Sequence, residues 1–158
     1  MNIIRQANID DLESVLLLSD ELTLSDLPYD KEVNIDWAHT SNGKEYYEQK
    51  IKEQSGICFV AEYNGKIVGY LTAAIKEVPS YRLVKVSDLE NLVINKEFRN
   101  KGIGKQLLNK FLEWSKDQKV NKVSVCVFSS NEKAISFYLR EGFTSYDTTL
   151  EMSLKKNG

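Results

Sequence analysis

The strongest constraint on the fold is a long strand-like run that leads through a glycine-rich turn into an amphipathic helix. Residues 82–94, RLVKVSDLENLVI, alternate with period 2, whereas residues 100–116 carry apolar side chains at helical spacing. A further strand-like run, NKVSVCVF, occupies residues 121–128. Because a helix joins these two strands, we expect them to lie parallel in one sheet.

The remaining segments predict a mixed sheet with helices on its faces. The patterns indicate strands at residues 3–7, 56–64 and 66–75, helices at 12–22, 44–54 and 131–142, and one or two final strands at 143–154. Asn64-Gly65 is a hairpin turn signal, and Gly142 is a typical residue to end the last helix. The predicted fold class is therefore α/β, in the mixed α+β sense.

Length and composition narrow the function classes. The chain has 158 residues, which suits a single domain over residues 1–158, and its formal net charge of −2 argues against a nucleic-acid partner. It has no apolar run of membrane-spanning length and no signal-peptide pattern, so we expect no membrane partner and a cytoplasmic location. With one histidine we expect no metal site. Cys58 and Cys126 lie in apolar strand-like runs and are predicted to be free buried thiols.

The turn before the amphipathic helix, RNKGIGK at residues 99–105, combines two glycines with basic residues. Bare backbone N–H groups at a helix start bind anions, most often phosphate, and Arg99, Lys101 and Lys105 would add charged donors. The spacing excludes a P-loop, because Gln106 stands where Ser or Thr is needed. It also excludes a dinucleotide fingerprint, because Leu107 replaces the third glycine. On this turn alone, a phosphate site and a solvated basic turn remain equally open.

Two motifs together resemble a known family. Arg-x-x-Gly-x-Gly, placed between a strand and an amphipathic helix, resembles motif A of the GNAT superfamily of N-acetyltransferases, and NEKAISFYLREGF at residues 131–143 resembles its motif B. The resemblance covers roughly Asp88 to Phe143. It implies the acyl-CoA N-acyltransferase fold, with about seven strands, about four helices and a splay between the fourth and fifth strands. This splay would separate the strand that ends at Ile94 from the strand that contains Val123 to Val127.

The resemblance implies acetyl-CoA as cosubstrate and direct attack of an amine on it in a ternary complex. The glycine turn would wrap the pyrophosphate, and the strand that ends at Ile94 would pair with the pantetheine arm through its backbone. The residues implied in cofactor binding are Leu92, Val93, Ile94, Arg99, Asn100, Lys101, Gly102, Ile103, Gly104, Lys105, Asn131 and Tyr138.

Acetyl transfer to an amine needs a base, because an ammonium group with a pKa of about 10 has no lone pair at neutral pH. In the run at residues 82–94, alternation places Asp88 and Glu90 on one face with Val84, Val86, Leu92 and Ile94. We favour Glu90 as base, directly or through water, over Asp88. These carboxylates could instead bind a cationic substrate without taking its proton, or this face of the sheet could be exposed to solvent. A bulge near Asn91 would change which side chains face the cleft.

Two further groups complete the expected chemistry. The resemblance indicates Tyr138 as general acid toward the leaving thiolate, and the alternative is a core tyrosine with a bonded hydroxyl. Backbone N–H groups near Leu92 and Val93 are the candidate oxyanion donors. Some superfamily members carry an acidic residue five positions before the motif B asparagine. Cys126 stands there in this chain, which favours a base at position 88 or 90, or a water relay.

The acceptor is the least predictable part of the site. We expect the irregular residues 25–43 and the loop at 78–83 to cover it, with Tyr29, Trp37 and Tyr81 stacking on the amine and Asp88 and Glu90 binding its charge. The alternative that these residues form a solvated loop with one aromatic anchor remains equally open.

The acceptor could be a small-molecule amine or a protein or peptide amine. The alternative to an enzyme is a non-catalytic acyl-CoA-binding module or sensor. The final run TTLEMSL could also pair with a second copy in a homodimer.

Overall fold

Five strands lie side by side in chain order in the computed structural model, which describes residues 2–155. They are β1 Asn2–Gln6, β2 Ile57–Tyr63, β3 Lys66–Lys76, β4 Val86–Ile94 and β5 Lys122–Val125. Neighbours in β1 to β4 pair antiparallel, whereas β4 and β5 pair parallel. The helix between β4 and β5 makes this pair a crossover, so the predicted parallel connection is confirmed.

Four α-helices flank the sheet: α1 Leu12–Asp26, α2 Ser41–Ile51, α3 Ile103–Asp117 and α4 Glu132–Arg140. Short 3₁₀ turns occupy Ile9–Asp11, Trp37–His39 and Lys96–Phe98. The Thr40 side chain caps α2 by accepting from the Gly43 N–H, and the positive φ of Gly142 ends the α4 segment as predicted. Residues 25–43 are thus only partly irregular, because α1 and α2 extend into them from both sides.

Each face of the sheet has its own core. On the face that α3 covers, here called the α3 face, Leu107, Leu108 and Phe111 pack against apolar side chains of β2, β3 and β4. On the opposite face, here called the α2 face, α1 and α2 pack against side chains that include Val60 and Tyr70. Every helix therefore buries its apolar stripe against the same sheet.

The pairing between β4 and β5 is short. It runs from Val86 opposite Lys122 to Leu89 opposite Val125 and then stops. Residues 90–94 of β4 remain beside β3 but have no described strand on their other side, and the space along that side is here called the β4–β5 gap. This gap confirms the predicted splay between the fourth and fifth strands.

The strand count was predicted too high. Residues 143–154 form no strand, so the described part of the chain has five strands rather than about seven. Leu150, Met152 and Leu154 alternate as expected, yet each is more than 80% exposed. Alternation predicts a strand only where a neighbouring strand and a packing surface accept it, and this segment has neither within residues 2–155.

A bulge in β4 corrects the predicted sheet face. Leu89 lies opposite Ala73 and Asn91 lies opposite Thr72, so Glu90 is the extra residue between two paired positions. The predicted bulge near Asn91 is therefore confirmed.

The bulge shifts the alternation of the side chains that follow it. Ser87 faces the α3 face, where its hydroxyl lies 2.6 Å from that of Ser115, and Leu92 and Ile94 also pack on this face. Asp88 and Glu90 point to the α2 face instead, as their contacts with Ser124 and Tyr46 show. The prediction that both carboxylates share a face with Leu92 and Ile94 is thus wrong.

The two cysteines are free thiols, but only one is buried. Burial raises the pKa of the Cys58 thiol to about 12, which makes it unreactive at neutral pH. Cys126 is exposed because β5 ends one residue before it, so its predicted burial is wrong.

None of the described helices combines the length and apolar character that crossing a bilayer requires.

Stability should depend strongly on the contact between α3 and the sheet. Leu107 is fully buried on the α3 face, so Leu107→Ala should lower the free energy of unfolding by about 2–5 kcal/mol through lost burial and a cavity. Leu17 on α1 is 64% exposed, and the same substitution there should change stability by less than about 0.5 kcal/mol. Urea unfolding of both variants measures the difference, and equal losses would contradict this packing.

Candidate active site

The turn before α3 leaves backbone N–H groups exposed at the helix start. Asn100 and Gly102 both have left-handed φ values, of 61° and 80°, and no side chain caps α3. A Cβ atom built on Gly102 would meet nothing within 4 Å, and one on Gly104 would meet only the Phe137 ring at 3.7 Å. The backbone of this turn therefore faces open space at the positive end of α3, which suits a phosphate group.

The basic residues of the turn have different partners. Arg99 donates from Nε to the Ile94 carbonyl at 3.0 Å, which fastens the turn to the end of β4. Lys101 places Nζ 5.0 Å from the centroid of the Phe98 ring. Lys105 lies 3.7 Å from a Glu141 carboxylate oxygen and its side chain is 61% exposed. All three cations thus stay near the turn, and Arg99 also holds its backbone in place.

The backbone of β4 offers hydrogen-bonding groups to the β4–β5 gap. The Ile94 carbonyl turns toward Arg99, whereas the N–H of Asn95 reaches Val68 of β3 at 2.8 Å. Because backbone groups alternate sides along a strand, those of Leu92 face the gap and those of Val93 face β3. Leu92 and Ile94 therefore line the gap, and Val93 is less suited than predicted.

Helix α4 forms the other side of this region. Asn131 caps the helix by accepting the Ala134 N–H at Oδ1, over 3.2 Å, which leaves its amide nitrogen to face outward. Phe137 lies against Gly104, so α4 adjoins the first turn of α3. The two predicted motifs thus meet in space.

Tyr138 lies at this junction with its ring packed and its hydroxyl unbonded. The ring centroid is 5.1 Å from that of Phe137 and 5.4 Å from that of Phe143. Burial raises the pKa of Tyr138, so the phenol stays protonated. Within residues 2–155 its hydroxyl makes no hydrogen bond. Every fully buried side-chain polar atom in this range has a hydrogen-bond partner, so the Tyr138 hydroxyl is not one of the fully buried atoms. The hydroxyl oxygen is therefore accessible, unlike that of a core tyrosine with a bonded hydroxyl.

Glu90, the predicted base, binds two side chains of α2. Its Oε2 accepts the Tyr46 hydroxyl and lies 2.9 Å from Lys50 Nζ. Burial and the negative charge of Glu90 raise the pKa of Tyr46, so Tyr46 remains the donor. The Glu90 side chain is 28% exposed and its Oε1 has no partner among the described residues, which leaves one oxygen for a ligand or water.

Polar side chains of β3, β4 and β5 extend this cluster on the α2 face. Asn91 donates to the Tyr46 hydroxyl at 3.0 Å and to the Thr72 hydroxyl at 2.8 Å. Asp88 accepts the Ser124 hydroxyl at 2.7 Å, one pair before the end of the β4–β5 pairing. Both predicted carboxylates thus lie on the α2 face near the β4–β5 gap.

Sequence reasoning missed Tyr46 and Lys50. They lie one helical turn apart in α2, and Lys50 sits beside the buried Tyr47 and Ile51. A lysine on the apolar stripe of a helix is rarely buried without a partner. The position of Lys50 in this stripe was therefore the sequence signal for a buried ion pair.

The predicted acceptor aromatics lie apart from one another. Trp37 packs 5.6 Å from the Tyr46 ring centroid, and Tyr29 stacks at 5.6 Å on Phe128, beyond the end of β5. The segment between α1 and α2 therefore contacts both the Glu90 cluster and the loop after β5. Tyr81 is 83% exposed on the loop between β3 and β4 and joins neither pair.

The sheet separates two chemical surfaces at the β4–β5 gap. The glycine turn and Tyr138 belong to the side formed by α3 and α4, and Glu90 belongs to the α2 face. A ligand that lies along Leu92 and Ile94 would place its reactive end between them. This arrangement suits a reaction between two substrates that approach from opposite faces of the sheet.

Comparison with known proteins identifies the class. The profile of the Acetyltransferase (GNAT) family matches residues 20–143, and the chain belongs to this family. An uncharacterized N-acetyltransferase of Methanocaldococcus jannaschii is 32% identical over 98 residues, which cover 62% of this chain and 43% of the relative. The chain thus spans less than half the length of that relative.

Two solved structures share the fold. A tetramutant of the BH1408 protein from Bacillus halodurans superposes with a TM-score of 0.82 at 19% identity, covering 96% of this chain and 99% of that one. The aminoglycoside N-acetyltransferase AAC(6')-Iy, solved in complex with CoA, gives a TM-score of 0.76 at 21% identity, with coverages of 100% and 96%.

Gly102 and Gly65 form a matched pair that tests the glycine turn. Both have φ near 80°, at 80° and 77°, and a Cβ on either would meet nothing within 4 Å. Alanine at each should therefore cost a similar amount of stability, about 1–2 kcal/mol. Only Gly102→Ala should weaken coenzyme A binding, by about tenfold, which corresponds to one lost hydrogen bond to a charged group. Calorimetric titration measures the affinity, and an equal loss in Gly65→Ala would argue against the turn as the phosphate site.

Proposed function

We propose that residues 1–158 act as one N-acetyltransferase domain that moves the acetyl group of acetyl-CoA to an amine. The observation that carries this proposal is the β4–β5 gap. An unpaired strand edge leads to an exposed glycine turn, and Phe137, whose ring contacts Tyr138, packs beside that turn, on a chain of the GNAT family. An extended, phosphate-bearing thioester has the shape and the chemistry to fill this gap.

The donor would bind along these groups in order. Its pyrophosphate accepts hydrogen bonds from the backbone N–H groups of the turn at residues 100–105, where Lys101 and Lys105 add positive charge. Its pantetheine arm pairs with Leu92 and Ile94 as an added strand. Asn131 donates from its amide nitrogen, because its oxygen already caps α4. This assignment leaves out two predicted contacts: Val93 faces β3, and Arg99 holds the turn through the Ile94 carbonyl.

The reaction forms a C–N bond and breaks the C–S bond of the thioester. Glu90 takes the proton of the acceptor ammonium on its free oxygen, directly or through a water molecule. The neutral amine attacks the acetyl carbonyl, and the N–H of Leu92 stabilises the oxyanion. The tetrahedral intermediate then loses the extra proton on its nitrogen to water and collapses to an amide and a thiolate, and the proton on Glu90 passes to solvent.

Tyr138 stabilises the departing thiolate by donating a hydrogen bond. A thiol has a pKa of about 8.5 and a free tyrosine about 10, and burial raises the pKa of Tyr138 further. Complete transfer of the phenolic proton to the thiolate is therefore unfavourable. The role of Tyr138 is thus to hold the thiolate in place until it takes a proton from solvent.

The acceptor class follows from the charges and rings on the α2 face. Asp88 and Glu90 favour a cationic amine, and Trp37 and Tyr29 offer aromatic faces beside the same region. The neighbour solved with CoA is named for aminoglycosides, which are amine-bearing sugars. We therefore place primary amines that carry positive charge first among the acceptors to be tested.

Acetyl-CoA consumption tests this function directly. The chain should release coenzyme A in the presence of at least one amine from a panel containing a polyamine, an aminoglycoside, an amino acid and a peptide with a free N-terminus. Mass spectrometry identifies the acetylated product.

In parallel, acetyl-CoA should raise the unfolding temperature and ATP or NAD should not, because only acetyl-CoA has the extended phosphate-bearing shape that fits the β4–β5 gap. Stabilisation by acetyl-CoA without turnover of any amine would instead support a non-catalytic acyl-CoA sensor, and stabilisation by ATP or NAD alone would contradict both functions.

Replacing the hydroxyl of Tyr138 should separate catalysis from binding. Tyr138→Phe keeps the packed ring, so the affinity for acetyl-CoA should change little, while kcat should fall by about a hundredfold through lost stabilisation of the thiolate. Tyr146 is 73% exposed and supplies a control, since Tyr146→Phe should leave both quantities unchanged. Steady-state kinetics and calorimetric titration measure them. A wild-type kcat in Tyr138→Phe would remove this residue from the reaction.

A further inference from the structure

Lys50 is a buried cation with an unusual set of partners. The residue is 3% exposed, although lysine is almost always at the surface. Its Nζ lies 2.9 Å from Glu90 Oε2, donates to the Ser55 carbonyl at 2.7 Å and lies 5.1 Å from the centroid of the Tyr46 ring. Three independent contacts therefore fix the ammonium group beside one oxygen of the candidate base.

Tyr46 fixes the same oxygen from a second direction. It precedes Lys50 by one helical turn and donates its hydroxyl to Glu90 Oε2, while Asn91 and Thr72 hold the tyrosine oxygen in turn. All of these contacts lie on the α2 face. The bulge at Glu90 allows this convergence, because it turns the neighbouring side chains of Glu90 and Asn91 to one face.

We propose that Lys50 and Tyr46 are positioning residues that stabilise the Glu90 carboxylate and fix its Oε2, so that Oε1 alone accepts the proton of the acceptor amine. The role in catalysis rests on the acetyltransferase function proposed above, whereas the effect on the charge of Glu90 does not. A cation and a hydroxyl donor both favour the carboxylate over the neutral acid. Helix α2 thereby fixes the orientation and the charge environment of a residue on β4.

Few other groups face Glu90. Helix α2 presents Tyr46 and Lys50, β3 presents the uncharged Thr72 hydroxyl, and β4 itself presents Asp88 two residues away. The Asp88 carboxylate accepts the Ser124 hydroxyl and disfavours a second negative charge nearby. Lys50 is thus the one cation that pairs with Glu90 within residues 2–155, and its removal should have the largest effect.

The first measurement does not depend on activity. The chain is labelled with glutamate carrying ¹³C at the carboxyl group, and the Glu90 signal is identified by its loss in Glu90→Gln. In Lys50→Met the titration midpoint of this signal should move to higher pH, because methionine keeps the length of the side chain without its charge. Tyr46→Phe should move it in the same direction. Lys50→Arg keeps the charge and should restore a midpoint near that of the wild type.

The second measurement follows the reaction with acetyl-CoA and an amine that the panel shows to be a substrate. The acidic limb of the pH profile of kcat/KM should move to higher pH in Lys50→Met, in step with the NMR midpoint. In a Glu90→Gln background, Lys50→Met should cause no further loss of kcat, because Lys50 acts through Glu90. Lys52→Met is the matched control at the C-terminal end of α2. Within residues 2–155 the Lys52 side chain pairs only with Glu48, at 3.6 Å, and is exposed, so its replacement should change neither profile.

The outcomes separate the two proposals. An unchanged Glu90 midpoint in folded Lys50→Met and Tyr46→Phe, with folding verified by circular dichroism, overturns the positioning role. Additive losses of kcat in the double variant overturn the claim that Lys50 acts through Glu90. A shifted midpoint in a chain that acetylates no amine supports the effect on Glu90 and contradicts the acetyltransferase function instead. If Lys50→Met does not fold, the contrast between Tyr46→Phe and Lys50→Arg decides the question.

Discussion

The end of pairing between β4 and β5 is the constraint on which the candidate site depends. After Leu89 and Val125 the two strands separate, and the backbone groups of residues 90–94 on that side lack a strand partner. Polar backbone groups must bind water or a ligand. Helices α3 and α4 hold the opening in place, because Phe137 packs beside Gly104 and Lys105 lies near Glu141. A rigid frame thus surrounds an edge that a ligand can complete.

The bulge at Glu90 lets one strand serve both packing and chemistry. A regular strand would alternate, so a polar residue at 90 would place its neighbour at 91 on the other face. With the bulge, Glu90 and Asn91 both reach the α2 face, and Leu92 returns to the apolar side of α3. The polar cluster therefore forms without opening the core around Leu107 and Phe111.

Local patterns explain what the sequence could predict. The turn at Asn64-Gly65, the left-handed Gly102 and the cap at Asn131 each depend on residues a few positions apart, and the structure has all of them. The prediction of final strands was wrong, because the alternation of apolar and polar residues cannot show whether a neighbouring strand exists. The contact between Lys50 and Glu90 joins residues 40 positions apart in sequence. Only the register of the sheet and the placement of α2 bring them together.

The charge of Lys50 divides the tasks of the two carboxylates on the α2 face. Lys50 offsets the charge of Glu90, so this ion pair exerts little net attraction on a distant cation. Asp88 accepts the uncharged Ser124 hydroxyl and pairs with no cation within residues 2–155. In the proposed reaction, Asp88 would therefore supply most of the attraction for a cationic amine, and Glu90 would take its proton. This division allows one site to bind an ammonium group without holding it too tightly to deprotonate.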